Sequence, residues 1–454
     1  MSSTRRAKRL VIIGGVAAGM SAAARARRLD PDLEIVAYER TGYVSYGSCG
    51  LPYFVAGLVP KATDLIARTP EQFHKQGIKT HTHHEVTAID VSGRTVRVRD
   101  LDEGREFSVG YDGLVLATGG TAIEPPIPGT DLKGVFRLRI VEDGMAVNEF
   151  LVDKRPRRAV IIGGGYIGVE VAEAFVERGL EATILSRPGQ VLANFDADMA
   201  KRMQDELERN GILVSVDDPA QAIEGDSTGR VRAVVSSRGE YPADLVMIGA
   251  GVRAQSALAQ EAGIELGVKG AIAVDERMRT NVAGIYAAGD CAETYHLLLG
   301  KPSYVPLGST ANKQGRVAGT NVAGGDEVFS GVVGTMITKA FGLGIALTGF
   351  TEKAAAALGR RASSVTIEHG SRAHYYPSPG QIHIKLVWDP EAGSLLGAQI
   401  AGPVGEAKRI DVFAAALHQR MTIEDLQRLD LSYAPPFGPV WDPILVAANV
   451  AAKS

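Results

Sequence analysis

"RAVIIGGGYIGVEVAEAFVERGLEATILSR", residues 158–187, opens on an apolar run, stops at a glycine turn, continues at helical spacing and ends in a second apolar run. Strand, turn, helix and strand in that order make the dinucleotide-binding unit of an open parallel sheet. Gly163 permits the tight turn, Gly165 lets backbone N–H groups approach a pyrophosphate, and Gly168 allows the helix to pack closely. The helix N-terminus, with Tyr166 and Ile167 in its first turn, adds a partial positive charge. A lone G-x-G-x-x-G is a weak signal that also fits a plain structural βαβ turn. Its place between two apolar runs favours a nucleotide.

The same pattern stands at the beginning of the sequence. "RLVII" (9–13) enters "GGVAAG", alanines and arginines continue at helical spacing to Leu29, and "DLEIVAYER" ends in a strand at Glu39. Gly14, Gly15 and Gly19 keep the turn, with Ala17 and Ala18 inside it, but Val16 sits where the middle glycine is expected. A purely structural turn is the competing reading. Glu39, with Arg40 after it, restores the nucleotide reading, because a carboxylate at that strand end accepts hydrogen bonds from a ribose diol. Two units in tandem imply two nucleotide cofactors. In the second unit the matching position holds Ser186-Arg187 and no acid, so a 2′-phosphate gains a cation and a hydroxyl donor while a 2′-hydroxyl loses its acceptor. NADPH is favoured over NADH, against an Arg187 that merely points into solvent.

Composition narrows the function classes. The chain has 454 residues, 45% hydrophobic and 22% charged, with 53 glycines and a net charge of −3. That length suits about three domains of roughly 150 residues. Without an excess of Lys and Arg, no electrostatic footprint for nucleic acid exists. "STRRAKRL" followed by "VIIGGVAAGM" has the outline of a signal sequence, yet the apolar part is broken by glycines and runs into "SAAARARRLD", which suits a first strand and helix. No apolar run approaches a membrane span, and two cysteines make no disulfide framework, so a reducing cytoplasm is expected.

Further strands stop at glycine turns in "YDGLVLATGG" (111–120), "ADLVMIGAGVRAQ" (243–255) and "IYAAGDCAE" (285–293). From about Val328 the texture changes to alternating strands, including "AHYYPSPGQIHIKLVWD" (373–389), followed by a helical "KRIDVFAAALHQRMTIEDLQRL" (408–429). "HTHHEV" groups His81, His83 and His84 but lacks ligands from a second segment, so no metal site is expected there.

Two nucleotide units, "LVLATGG", "TNVAGIYAAGD" and a single cysteine soon after the first unit resemble the flavoprotein pyridine nucleotide–disulfide oxidoreductases, over essentially the whole chain. "SYGSCGLPY" (45–53), "VPLGSTANKQGRVAG", "AHYYP" and "YAPPFGPVWDP" are similar to its coenzyme A disulfide reductase branch. The resemblance implies an α/β fold with two Rossmann-like domains and a C-terminal α+β dimerisation domain. The FAD domain would comprise 1–120 and 250–327, the NAD(P) domain 121–249 and the dimerisation domain 328–454. FAD would lie on Gly14 and Glu39, near Val86, with Ala117, Thr118 and Gly119 beside it, Asp290 on its ribitol chain, and Leu307 and Ala311 at a helix start beneath the ring. Glu170 and Tyr166 would line the nicotinamide, and Gly251 counts among the cofactor-binding residues.

Cys49 stands just ahead of an apparent helix, "GLPYFVAGL", where partial positive charge favours a thiolate. A small buried hydrophobe is the ordinary fate of a lone cysteine. The resemblance makes it instead a redox sulfur, held when oxidised as a sulfenic acid or as a mixed disulfide with a small thiol. Cys291 reads as packing. Peroxide- and oxygen-reducing members carry a histidine in the first glycine turn, where this chain has Ala17, so the thiol–disulfide role gains. Coenzyme A would be held by Ser21, Arg25, Arg28, Ser45, Ser48, Lys75 and Asn312. Tyr433 and Tyr375 of a partner subunit would assist the departing thiolate, which implies a homodimer. Tyr46 and Ser48 depart from the usual phenylalanine and asparagine. Rival readings are a persulfide or polysulfide reductase, although the length leaves no room for an added rhodanese domain, an NAD(P)H oxidase or peroxidase, and, in another class, a redox-gated binding flavoprotein.

Overall fold

In the computed structural model the strand Arg9–Ile13 is the centre of a five-stranded parallel sheet, in the order Ile285–Ala287, Gly113–Leu116, Arg9–Ile13, Glu34–Tyr38, Ile78–His81. Residues 8–453 are described. They divide into two compact units. The first holds the described residues up to Ile123 with Leu138–Glu149 and Gly251–Val332, and the second holds Glu124–Arg137, Phe150–Ala250 and the described residues from Val333 onward.

The first sheet is covered on both faces, which is why its strands read as unbroken apolar runs. Leu10, Ile12, Ile35, Ala37 and Val115 face one core. Val11, Ile13, Val36, Tyr38, Leu114 and Leu116 face the other, shared with Val86, Ile89, Val96 and Val98 of the antiparallel sheet His84–Asp90, Thr95–Asp100, Glu106–Gly110. The helix Ala17–Leu29 leaves the central strand through Gly14, whose φ of +106° favours glycine and whose added Cβ would lie 2.1 Å from the Ala117 carbonyl oxygen. Ala18, Ala22 and Ala26 bury one small-residue face, and the helix Gly308–Val322 packs on it. Cys49 lies in a 3-10 turn, Ser48–Gly50, that leads into the helix Leu51–Ala56; the helix carries Pro52 in its first turn and ends at left-handed Gly57.

The second unit repeats the plan. Its parallel sheet runs Leu213–Val216, Glu181–Ser186, Arg158–Ile162, Leu245–Ile248, Val135–Phe136. It also holds an antiparallel sheet ordered Met336–Ala340, Leu343–Gly349, Leu395–Pro403, Gln381–Trp388, Ser363–Gly370. The α/β class with two Rossmann-like sheets agrees with the sequence reading. Two details differ. The strand expected from 373 begins only at Gln381, because Pro377 and Pro379 have no N–H to give a ladder and residues 373–376 close a turn, Tyr376 N–H to Ala373 O at 2.9 Å. The helical stretch 408–429 is two helices, Ile410–His418 and Ile423–Gln427, parted at Arg420 with φ +55° and restarted by a Thr422–Asp425 capping box.

Candidate functional site

In the first unit three cavities share walls. One is bounded by Gly14, Tyr38, Glu39, Arg40, His84, Val86, Thr118 and Gln255. The next shares Gly14, Glu39, Arg40, Thr118 and Gln255 with it and adds Val16, Ala17, Ala18, Tyr46, Ser48, Cys49, Ala117, Gly119, Arg139, Asp290, Leu307, Gly308 and Ala311. The third, of about 480 Å³, shares Val16, Ala17 and Tyr46 with the second and is walled by Ser21, Arg28, Ser45, Arg68, Asn312 and Arg316.

The first two make a cleft along the carboxyl ends of the parallel strands, the place where such sheets bind nucleotides. Glu39 is buried there, accepting from Gly15 N–H at 2.7 Å and Thr41 N–H at 2.9 Å. Thr118 Oγ1 donates to Gln255 O at 2.5 Å. Tyr38 stacks on His81, with centroids 5.3 Å apart, and burial pushes its phenol up to about 12. His83 meets Asp102 at 3.0 Å and His84 Nδ1 meets Thr82 O at 2.8 Å. Asp290, expected on a ribitol chain, accepts from the Arg139 guanidinium, which also reaches Gly120 O at 3.1 Å. The helix Gly308–Val322 begins on the same wall with no side-chain cap on its first N–H groups, so its positive end faces the cavity. The cleft offers what a long dinucleotide needs: strand ends, a buried carboxylate where the two cavities meet, and an uncapped helix start in the second.

Cys49 is exposed on the wall of the second cavity, which Ser48 and the Leu307–Gly308 helix start also line. Cys291 is fully buried, its Sγ 3.4 Å from both Leu116 O and Ala288 O, and burial raises its thiol. Of the residues expected around coenzyme A, Ser21, Arg28, Ser45 and Asn312 line the third cavity, and Ser21 Oγ donates to Asn312 Oδ1 at 2.8 Å. Ser48 faces the second cavity. Arg25 turns elsewhere, to Thr320 Oγ1 at 2.9 Å and Glu327 at 3.5 Å, and Lys75 is an exposed residue outside these walls. Sequence reasoning missed Arg68, Arg316, Arg139 and Gln255. Arg316 was within reach, standing one helical turn after Asn312. Arg68 sits in a loop without a motif.

In the second unit, Gly163 has φ +118°, and an added Cβ on Gly168 would lie 1.9 Å from Gly163 O. An added Cβ on Gly165 would meet no protein atom within 4 Å. The protein's own packing therefore does not demand that glycine. Ile167 follows Tyr166 in the helix Tyr166–Glu177. Glu170 accepts from Thr338 Oγ1 at 2.7 Å, and burial raises its carboxyl above the usual range. Ser186 is buried with its hydroxyl on Gln190 O at 3.0 Å, whereas Arg187 is exposed. Gly251 falls in the first unit. Tyr375 and Tyr433, far apart in sequence, meet with their hydroxyls 3.3 Å apart on an exposed face, and that hydrogen bond raises the Tyr433 phenol.

Residues 8–315 match the family described as pyridine nucleotide-disulphide oxidoreductase, and residues 336–443 match its dimerisation domain. The chain belongs to that family. As a pyridine nucleotide-disulphide oxidoreductase it is an oxidoreductase working through FAD and a pyridine nucleotide, and it carries a dimerisation domain. It is 41% identical, over 98% of each chain, to an NAD(P)H sulfur oxidoreductase (CoA-dependent) of Pyrococcus abyssi. It is 31% identical, over 94% of this chain and 96% of the other, to coenzyme A disulfide reductase of Staphylococcus aureus. A solved NAD-dependent persulfide reductase from A. fulgidus superposes with a TM-score of 0.95 at 40% identity, covering 98% of this chain and 83% of that one. No helix among the described residues is long and apolar enough to cross a membrane.

Proposed function

We propose that this protein reduces coenzyme A disulfide with NAD(P)H, preferring NADPH, through one redox-active sulfur, Cys49. The observation that carries the reading is the shared walls: the exposed cysteine borders the nucleotide cleft on one side and, through Val16, Ala17 and Tyr46, an arginine-lined cavity on the other. Arg28, Arg68 and Arg316 suit the phosphates of coenzyme A, and Ser21, Ser45 and Asn312 supply neutral donors and acceptors along its length. Arg25 takes no part, because its guanidinium is held by Thr320 and Glu327.

Bound FAD supplies a two-electron relay between nicotinamide and sulfur. Gly163, Gly165 and Gly168 hold the pyridine nucleotide, with Glu170 and Tyr166 at its nicotinamide and Arg187 at a 2′-phosphate. The Cys49 thiolate attacks one sulfur of the disulfide, forming a mixed disulfide and expelling one coenzyme A thiolate; two electrons then cleave the mixed disulfide, returning the Cys49 thiolate and a second one. Cys291, sealed in the core, gives no resolving thiol. Tyr433 and Tyr375 of a second copy protonate the departing thiolate. A raised phenol stays protonated at neutral pH and remains a donor. The exposed Phe437, Val440 and Trp441, which follow Tyr433 in sequence, are the large apolar residues a homodimer would cover. Changing both tyrosines to phenylalanine should lower kcat by about 10²-fold, the lower range for a positioned general acid, without raising KM for NADPH.

A coenzyme A persulfide or polysulfide is the second reading, favoured by the names of relatives such as the CoA-dependent sulfur oxidoreductase and the persulfide reductase. Anaerobic turnover of the purified protein with NADPH or NADH against coenzyme A disulfide, coenzyme A persulfide, inorganic polysulfide and peroxide separates them. Fastest turnover of peroxide would overturn both. For cofactor choice, Arg187→Ala should raise KM for NADPH by about 10- to 100-fold, the loss of a charge-assisted contact, and leave NADH nearly unchanged. An equal effect on the two would show that Arg187 reads no phosphate.

A further inference from the structure

The helix Tyr166–Glu177 turns Glu170 and Glu173, one turn apart, toward the strand Met336–Ala340. Thr338 Oγ1 donates to Glu170 Oε1 at 2.7 Å. Glu173, 4% exposed, takes Lys339 Nζ at 2.5 Å and Phe341 N–H at 2.8 Å on the same oxygen. The second residue placed at the nicotinamide, Tyr166, receives Asn194 Nδ2 at 2.9 Å, and that amide also lies 3.6 Å from Met336 Sδ. Both residues are therefore held by groups on, or leaning against, one strand that follows the nucleotide unit by more than a hundred residues.

We propose that Thr338 is a positioning residue for the nicotinamide: its hydroxyl fixes Glu170 so that the other carboxylate oxygen accepts the carboxamide N–H of the bound pyridine nucleotide. The inference rests on the reading of Glu170 as a nicotinamide contact. A carboxylate with one oxygen occupied by a hydroxyl donor has a defined rotamer and presents an acceptor to a donor ligand. Burial and Glu173 favour the protonated carboxyl, while Thr338 and Lys339 favour the ionised one. Tyr166, the remaining titratable neighbour, is held protonated by burial. Without the threonine hydroxyl, Glu170 keeps its proton to higher pH and offers an O–H where the carboxamide needs an acceptor. Glu173, tied to Lys339 and Phe341, anchors the helix against the strand and takes no part in recognition.

The test uses the FAD-loaded dimer and reads equilibrium binding by calorimetry. NADP+ is compared with 2′-phospho-ADP-ribose, which keeps every contact except those to nicotinamide. Thr338→Val should raise the Kd of NADP+ by about tenfold, as expected for one lost hydrogen bond to a charged group, and leave the fragment unmoved. The pH at which NADP+ binding falls off on the acid side should move upward. Thr338→Ser should restore both. Equal weakening of NADP+ and the fragment would make Thr338 merely structural and overturn the inference, as would no weakening of either. Glu170→Ala, which removes the acceptor altogether, separates the two levels. If it weakens NADP+ while Thr338→Val does not, only the inference fails; if it leaves NADP+ untouched, the reading of Glu170 fails and takes the inference with it.

Discussion

Cys49→Ser is expected to abolish disulfide turnover, by on the order of 10⁴-fold or more as with other lost nucleophiles, while both nucleotides stay bound. A serine hydroxyl is not ionised at neutral pH and cannot form the S–S bond on which exchange depends. The side chain is exposed in a 3-10 turn and lines a cavity, so the substitution removes one reactive atom and no core packing. Reduction of the flavin by NADPH, followed in an anaerobic half-reaction, should remain within about twofold, because that step does not use the sulfur. A second readout separates capture from turnover. Incubation with coenzyme A disulfide should add the mass of one coenzyme A to the native chain in its thiol form, with release of the other coenzyme A as a thiol, and nothing to the variant. Cys291→Ser should still capture, since that thiol is enclosed between the Leu116 and Ala288 carbonyls. Full disulfide turnover by Cys49→Ser would end the proposed mechanism.

How far the sequence could be read differed with the range of the interaction. Both nucleotide units were legible because parallel strands covered on two faces become unbroken apolar runs, and because Gly14 and Gly163 mark turns with positive φ. Glu39 was legible from its place at a strand end. Arg25 and Arg28 were not separable: their spacing places both on one helix face, yet Thr320 and Glu327, some 300 residues onward, take Arg25 and leave Arg28 to the cavity. Ser186 looked like a phosphate donor beside Arg187, but it closes a strand buried at Ile184, Leu185 and Ser186 alike, and its hydroxyl goes to Gln190 O. Tyr375 was placed by family resemblance alone; its hydroxyl reaches Tyr433 from a turn, after prolines had cut short the strand that alternation suggested. Thr338 carried no local signal, since nothing near it in sequence names Glu170 as its partner.

The stretch "STANKQGRVAG" shows how packing and chemistry depend on the same small residues. A Cβ on Gly315 would lie 2.2 Å from Ala18 O and 2.8 Å from Ala18 Cα, and one on Gly319 would lie 2.4 Å from Ala22 O. These are main-chain atoms of the facing helix, so no rotamer change relieves the overlap and the two helices must move apart. Ala18 and Ala311 lie on those two helices, and both line the cavity that contains Cys49. Gly315→Val is therefore expected to cost about 3 kcal/mol or more, beyond ordinary overpacking because backbone has to shift. At about 2–4 °C per kcal/mol for domains of this size, the melting temperature should fall by roughly 6 °C or more. Flavin content should fall with it, because the displaced helix carries the Leu307–Gly308 start out of register with the cleft. Lys313→Ala, on the exposed face of the same helix, should change neither. A Gly315→Val protein that melts normally and is isolated with full flavin would show that the cleft tolerates separation of its helices, and the tight crossing would then have no bearing on cofactor binding.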